Sequence, residues 1–166
     1  MAMTLLNTVT LSAETFQFEW TNIPQTGKDL LVVVSARLNT TGPTEAEIKL
    51  NGVQSNLSWR GLRGTGTVVG SSTNTNYSNM SYVAVIPGTG ATTNTFSNFQ
   101  VYVPNYTSST VKTSSFEGVA ENNASASQLG IAAWNWNDTS AITSLAIVCS
   151  TGNMVVNSTA SLYIIS

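Results

Sequence analysis

The sequence contains no histidine and a single cysteine, Cys149. Without histidine, a Ser-His-Asp or Cys-His catalytic arrangement is impossible, and so are the zinc and iron sites that use histidine ligands. One cysteine excludes a disulfide within the chain. Because Cys149 lies in the apolar run LAIVCS, we expect a small buried side chain there rather than a nucleophile.

Charged residues are also scarce, at 8% of the chain, against about 25% in an average domain. The six Lys and Arg are spread singly and the net charge is −2. Nucleic-acid binding requires clustered positive charge, so we expect no nucleic-acid partner. Of the eight carboxylates, Glu45 and Glu47 share a strand face, which we expect to be solvated. We therefore predict no enzymatic activity, no metal and no other cofactor.

Long apolar runs are missing as well. No run approaches the 18 residues that a membrane-spanning helix needs, so we expect no membrane partner. The first residues show no basic segment followed by an apolar core, so we expect no secretory signal peptide.

Serine, threonine and asparagine, in contrast, make up more than a third of the chain, and 42% of the residues are hydrophobic. Threonine favours strands, while serine and asparagine favour turns. Short apolar segments recur about every 8–12 residues, the pattern of a sandwich or barrel. The predicted strands lie within residues 4–11, 15–20, 28–38, 45–52, 55–64, 81–87, 94–106, 111–120, 127–136, 141–150 and 154–165.

These segments predict an all-β protein, a jelly-roll-like antiparallel β-sandwich of about 8–10 strands in a single domain, residues 1–166. We expect residues 28–38 to form a central strand buried on both faces. Asn51-Gly52 predicts a hairpin turn with residues 55–64 as the return strand. Residues 64–80 are too polar for a core and predict a surface loop. The segment SLYII predicts a closing strand, whose Tyr163 faces either the fold or a second subunit.

An ordered series of segments resembles a family of small tailed-phage virion proteins of jelly-roll type. The series runs from NIPQTGKDLLVVVSARL through IKLNG, LRGTG, NTFSNFQVYVPNYTSSTVKTSS and ENNA to AITSLAIVCSTGNMVVNSTASLYII. The resemblance covers the chain from about residue 20 onwards. The family usually closes on Leu-Tyr-Gly-Ile, whereas this chain has Ile164 at the glycine position, so a tight bend there is in doubt.

The resemblance implies a structural role, namely a capsid decoration (cement) protein that binds the capsid exterior as a homotrimer and stabilises the head. Its partners would be further copies of itself and the major capsid protein or other virion proteins. It would be made in the host cytoplasm and located on the virion. A component of the tail or fibre that binds a carbohydrate or a receptor is the alternative.

The candidate binding residues are aromatic or basic. Trp134 and Trp136 share a strand face and would stack on sugar rings, with Trp59 and Tyr77 extending that surface. Two aromatic residues at period two are more typical of a buried strand, however, so the core of a sheet is the favoured interpretation of the tryptophans. Arg60 and Arg63 in SWRGLRG would contact a phosphate or carboxylate, or hold a turn. The candidate interface residues are Trp59, Arg60, Arg63, Tyr77, Trp134, Trp136 and Tyr163.

Overall fold

Twelve β-strands account for the regular secondary structure of the residues that the structure, a computed structural model, describes: 2–75, 82–123 and 127–166. No helix occurs in these ranges, and so none that is long and apolar enough to cross a membrane. The strands are β1 (Met3–Thr10), β2 (Gln17–Trp20), β3 (Asp29–Ala36), β4 (Thr44–Leu50), β5 (Leu57–Gly64), β6 (Val69–Asn74), β7 (Tyr82–Ile86), β8 (Ser97–Val103), β9 (Lys112–Ala120), β10 (Gln128–Trp136), β11 (Leu145–Cys149) and β12 (Thr159–Ile165).

The strands form two antiparallel sheets that pack face to face. The large sheet has the order β1-β12-β3-β8-β9-β10-β5-β6, and the small sheet has the order β2-β11-β4-β7. The chain passes repeatedly between the two sheets, as in a jelly roll. The predicted single-domain β-sandwich is confirmed, although with twelve strands rather than eight to ten. One core lies between the inner faces, with Leu30, Val32, Phe99, Ile48 and Ile147 among its buried members.

Residues 64–80 do not form one continuous loop. A short turn, in which the Thr65 amide donates to the Val68 carbonyl at 3.0 Å, leads into β6. That strand pairs along its length with β5 at one edge of the large sheet. The surface-loop prediction is therefore wrong for residues 69–74, because strand pairing can hold a polar segment that has no apolar face. Residues 76–81 lie outside the described part of the chain.

Asn51-Gly52 does form a tight turn, with φ values of 51° and 80°. Leu50 and Val53 exchange two backbone hydrogen bonds of 3.0 Å across it. The predicted hairpin is nevertheless wrong. β4 belongs to the small sheet, whereas β5 pairs with β10 and β6 in the large one. The backbone turns again at Asn56, where φ is 62°, and enters the other layer.

The apolar segment around residues 28–38 forms β3, which lies between β12 and β8 as a central strand. Its inward side chains Leu30, Val32 and Val34 are buried, but Leu31 and Val33 on the opposite face are only half-buried. The prediction of burial on both faces is wrong for the outer face, since no second layer of described residues covers it. β12 alternates in the same way, with Leu162 and Ile164 inside and Tyr163 outside.

Candidate functional site: the outer face of the large sheet

The outer face of the large sheet carries side chains in rows that cross several strands. Successive strand residues point to opposite faces, so the pairing register determines which side chains are neighbours. Three rows cross β8, β9, β10, β5 and β6 on this face: Asn98–Val119–Leu129–Gly64–Val69, Gln100–Glu117–Ile131–Leu62–Ser71, and Tyr102–Ser115–Ala133–Arg60–Thr73.

The second and third rows line a groove of about 720 Å³. Its floor is aliphatic, made by Leu62, Ile131 and Ala133, and its rim is polar. The rim side chains come from four strands and consist of hydroxyls, one amide, one guanidinium and one carboxylate: Ser71, Thr73, Ser115, Tyr102, Gln100, Arg60 and Glu117.

Two hydrogen bonds fix side chains of this rim. The Gln100 Nε2 group donates to Glu117 Oε1 across the β8–β9 pair. The Tyr102 hydroxyl donates to Asp29 Oδ2 at 2.7 Å, and the other oxygen of that buried carboxylate accepts from the Asn105 amide at 2.8 Å. The hydrogen bond to Asp29 raises the pKa of Tyr102, so the phenol stays protonated as a donor. These contacts hold the rim in one arrangement.

An adjoining depression of about 410 Å³ continues the groove towards the first row. Val33, Asn98, Val119 and Leu129 line it, and it shares Gln100, Glu117 and Ile131 with the groove. The Gln100–Glu117 pair therefore lies between two connected concave spaces. Leu129 and Ile131 are 60% and 52% exposed, which is unusual for large aliphatic side chains on inner strands of a sheet.

A second apolar feature, which we call the apolar corner, lies on the same face towards the edge strand β1. It consists of outward side chains that are neighbours by register on β1, β12 and β3: Met3, Leu5, Leu31, Tyr163 and Ile165. Met3 is 60% and Leu5 51% exposed, and the other three are half-buried. None of the five is charged. Tyr163, predicted as a candidate interface residue, is at the centre of this corner.

The two tryptophans predicted to stack on sugars point the other way. Trp134 and Trp136 are 2% and 1% exposed and belong to the core between the sheets. Trp59 pairs with Trp134 across β5–β10, and is partly buried against the same core. The structure therefore favours the core interpretation of these residues and removes the predicted stacking surface. Tyr77 lies outside the described residues.

The two arginines of SWRGLRG do not act together. Arg60 is exposed on the outer face opposite Ala133 and lines the groove. Arg63, three residues further along β5, is exposed beside Gly70 of the edge strand and does not line the groove. Strand alternation separates them, because residues at odd spacing on a regular strand point to opposite faces.

Three polar or ionisable side chains that are buried elsewhere, Lys112, Cys149 and Glu47, lie outside the groove. The Lys112 ammonium donates to the carbonyls of Ser108 and Ser140 and lies 5.5 Å from the centre of the Trp136 ring. Cys149 is buried as expected, and burial raises the pKa of its thiol to about 12, so it is not a thiolate at neutral pH. The expectation that Glu47 lies on a solvated face is wrong: this side chain is 8% exposed, and its carboxylate accepts a hydrogen bond from Gln54 Nε2 at 2.6 Å.

The chemical groups that the groove offers are an aliphatic floor and a rim of hydrogen-bonding side chains. Glu117 is the one carboxylate among the described residues that line the groove, whereas glycoside hydrolysis uses two. Within residues 2–75, 82–123 and 127–166, no group of three metal-type ligands comes together.

Comparison with models of known protein families gave no match, and comparison with curated protein sequences gave no significant match. The phage-protein resemblance therefore stays a prediction from the sequence.

Sequence reasoning did not find the groove. Its residues are spread from Arg60 to Ala133 and come together only through the order of β8, β9, β10, β5 and β6. One signal was present in QLGIAAWNW, where Leu129, Ile131 and Ala133 alternate with Ala132, Trp134 and Trp136. Each sheet of a two-layer sandwich has one inner face. A strand that is apolar on both faces must therefore expose one of its two apolar faces to solvent.

Proposed function

We propose that the protein is a virion structural protein, a capsid decoration protein that binds the capsid exterior as a homotrimer and stabilises the head. The proposed self-assembly is supported by the apolar corner. Five uncharged side chains lie together there, on an outer face that no described residue covers. The virion location rests on the sequence resemblance from about residue 20 onwards.

The physical basis of this function is contact area multiplied by symmetry. Interfaces between identical subunits place apolar and aromatic side chains at their centre and polar groups at the rim. Tyr163 and Leu5 provide such a centre, and the threonine and serine side chains further along β1 and β12 provide a neutral rim, for example the Thr8–Ser161 hydrogen bond of 2.8 Å. With few charges, these contacts would depend little on salt.

Two measurements on the native protein and particle test the proposal. Light scattering of the purified chain should give three times 17.6 kDa, and a monomer at micromolar concentration would contradict the trimer. Mass spectrometry of gradient-purified particles of the encoding phage should detect the chain in many copies. Its absence from mature particles would overturn the virion role.

The alternative function, a carbohydrate- or receptor-binding module of a tail or fibre, loses the observation that favoured it. Its stacking surface was built on Trp134 and Trp136, and both rings are inside the sandwich. The loss of that surface does not bear on sugar binding elsewhere on the sheet, and we retain decoration as the proposed role of the chain.

A further inference from the structure

The groove is a second feature of the outer face, and its floor lies on strands other than those of the apolar corner. β12, in the corner, and β10, in the groove, are four strands apart in the sheet. At about 4.8 Å per strand this places them roughly 19 Å apart. The two features nevertheless adjoin at their near edges, because Leu31 of the corner pairs with Tyr102 of the groove rim. Each is therefore tested with its own variants.

The floor of the groove limits how an occupant can be recognised. β9, β10 and β5 are each paired on both sides, so their backbone amides and carbonyls are engaged in the sheet. An extended peptide adds to a sheet through a free strand edge, which this floor does not offer. Over the floor, recognition must therefore come from side chains, through aliphatic contact below and hydrogen bonds at the rim. The edge strand β6 lies at one side of the groove and not beneath it.

Charge further narrows the ligand class. The lining has one guanidinium, at Arg60, and one carboxylate, at Glu117, on opposite sides of Ile131 and Leu62. A polyanion or a polycation would meet one favourable and one unfavourable charge. A neutral ligand with many hydroxyls would find donors and acceptors in Ser115, Thr73 and Gln100, while its C–H faces rest on the aliphatic floor.

The rim is also arranged before any ligand binds. The Gln100–Glu117 and Tyr102–Asp29 hydrogen bonds hold three rim side chains in place, which reduces the conformational entropy that binding would cost. Tyr102 is 37% exposed, so its ring presents an aromatic face or edge at the rim. A fixed ring, hydroxyls and an amide around an aliphatic floor match the surface of a sugar.

We propose that the groove and its adjoining depression bind a neutral oligosaccharide, with sugar units on either side of the Gln100–Glu117 pair. The two connected spaces favour a chain of sugars over a single ring. This binding does not depend on the decoration function, because a capsid-surface protein and a free protein would present the same groove.

The test uses calorimetry and amide chemical-shift mapping with neutral gluco-, manno- and galacto-configured oligosaccharides of four to six units. Ala133→Arg fills the exposed centre of the third row, and Thr113→Arg adds the same side chain on the same face of β9 outside the groove. We expect one of the oligosaccharides to shift the amides of residues 100, 117 and 131. Ala133→Arg should weaken its binding at least tenfold, and Thr113→Arg less than twofold.

Four results would overturn the proposal. The first is that none of these oligosaccharides binds; the second is that shifts map to another surface or that Ala133→Arg leaves binding unchanged. The third is binding only to uronic-acid or sulfated oligosaccharides that salt abolishes, which would assign an acidic ligand. The fourth is a change in oligomeric mass caused by Ala133→Arg, which would assign the groove to a second copy of the chain. If substitutions in the apolar corner abolish the trimer, the result for oligosaccharide binding in the groove is not affected.

Discussion

Asparagine shapes this fold residue by residue. Among the described residues, every non-glycine position with positive φ is an asparagine: 22, 51, 56, 94, 105, 123 and 157. Asparagine tolerates this left-handed region better than most residues because its side chain bonds locally to the backbone. Asn51 does more, since its Oδ1 accepts from the amides of Thr143 and Ser144 and its Nδ2 donates to the Ala141 carbonyl. The high asparagine content therefore supplies turns and ties between loops.

Gly27 is required by its contact with Ile164. A Cβ atom at residue 27 would lie 2.0 Å from Ile164 Cγ2, far inside van der Waals contact. We predict that Gly27→Ala destabilises the protein by about 1–3 kcal/mol through overpacking. Ile164→Ala alone should cost about 2–5 kcal/mol, but the double variant should cost clearly less than the sum of the two. Urea unfolding of the four proteins measures the coupling.

Gly42→Ala is the control for this cycle, because no heavy atom lies within 4 Å of the Cβ that it would add. It should change stability by less than about 1 kcal/mol. Additive effects of Gly27→Ala and Ile164→Ala would contradict the contact. The phage proteins that this sequence resembles usually have glycine where this chain has Ile164. The same cycle therefore tests whether one small residue, at position 27 or at position 164, leaves enough room for the side chain at the other position.

Glu47 should make stability depend on pH. Burial is the largest effect on this carboxyl and raises its pKa, so the folded protein holds the proton more tightly than the unfolded chain. Its contribution to stability is present below the ordinary value of 4.5 and is lost as pH rises through the folded-state pKa. We predict that Glu47→Gln raises the free energy of unfolding at pH 7 and has little effect below pH 4.5, as the hydrogen bond with Gln54 can persist.

Denaturant unfolding at several pH values measures this difference, and Glu19→Gln, on the exposed side of β2, controls for loss of one negative charge. A Glu47→Gln protein that is less stable than the parent at pH 7 would contradict the account. So would a stability gain that does not change with pH.

At the scale of elements, composition and alternation predicted most strands. Each segment expected to be a strand contains one, because apolar residues at period two identify a half-buried strand. β6 was missed, since GSSTN has no apolar alternation, and the described strand that pairs with it is β5. The side of β10 that faces inward could not be predicted, because both its faces are apolar. The larger indoles go inside, and Leu129 and Ile131 are left outside.

β1 is the element on which the proposed trimer should depend. It pairs with β12 on one side and with no described strand on the other, and seven of its eight side chains are exposed. Replacing both Met3 and Leu5 by lysine places two charges in the apolar corner without touching the core. We predict a shift from trimer to monomer in light scattering, with a thermal midpoint close to that of the parent.

Thr10→Lys, which adds one charge to the same strand outside the corner, should leave the trimer intact. A Met3/Leu5 double-lysine variant that is still a trimer would show that the corner is not the interface.

At the scale of the molecule, the fold positions two features that local sequence does not contain. The small sheet packs on the inner face of the large one, so the groove and the apolar corner lie on the opposite face, which no described residue covers. Strand order and register bring their residues together, and these depend on long-range pairing that no short motif specifies. The sequence therefore predicts a β-sandwich well but not its surfaces.

The proposed capsid position can be checked by electron cryomicroscopy of virions from a phage that encodes this chain. We expect density for three copies of this two-sheet sandwich around a symmetry axis on the outer surface of the capsid, with β1 and β12 at the subunit contacts. Density for the chain at the tail instead, or a capsid surface without it, would overturn the proposal.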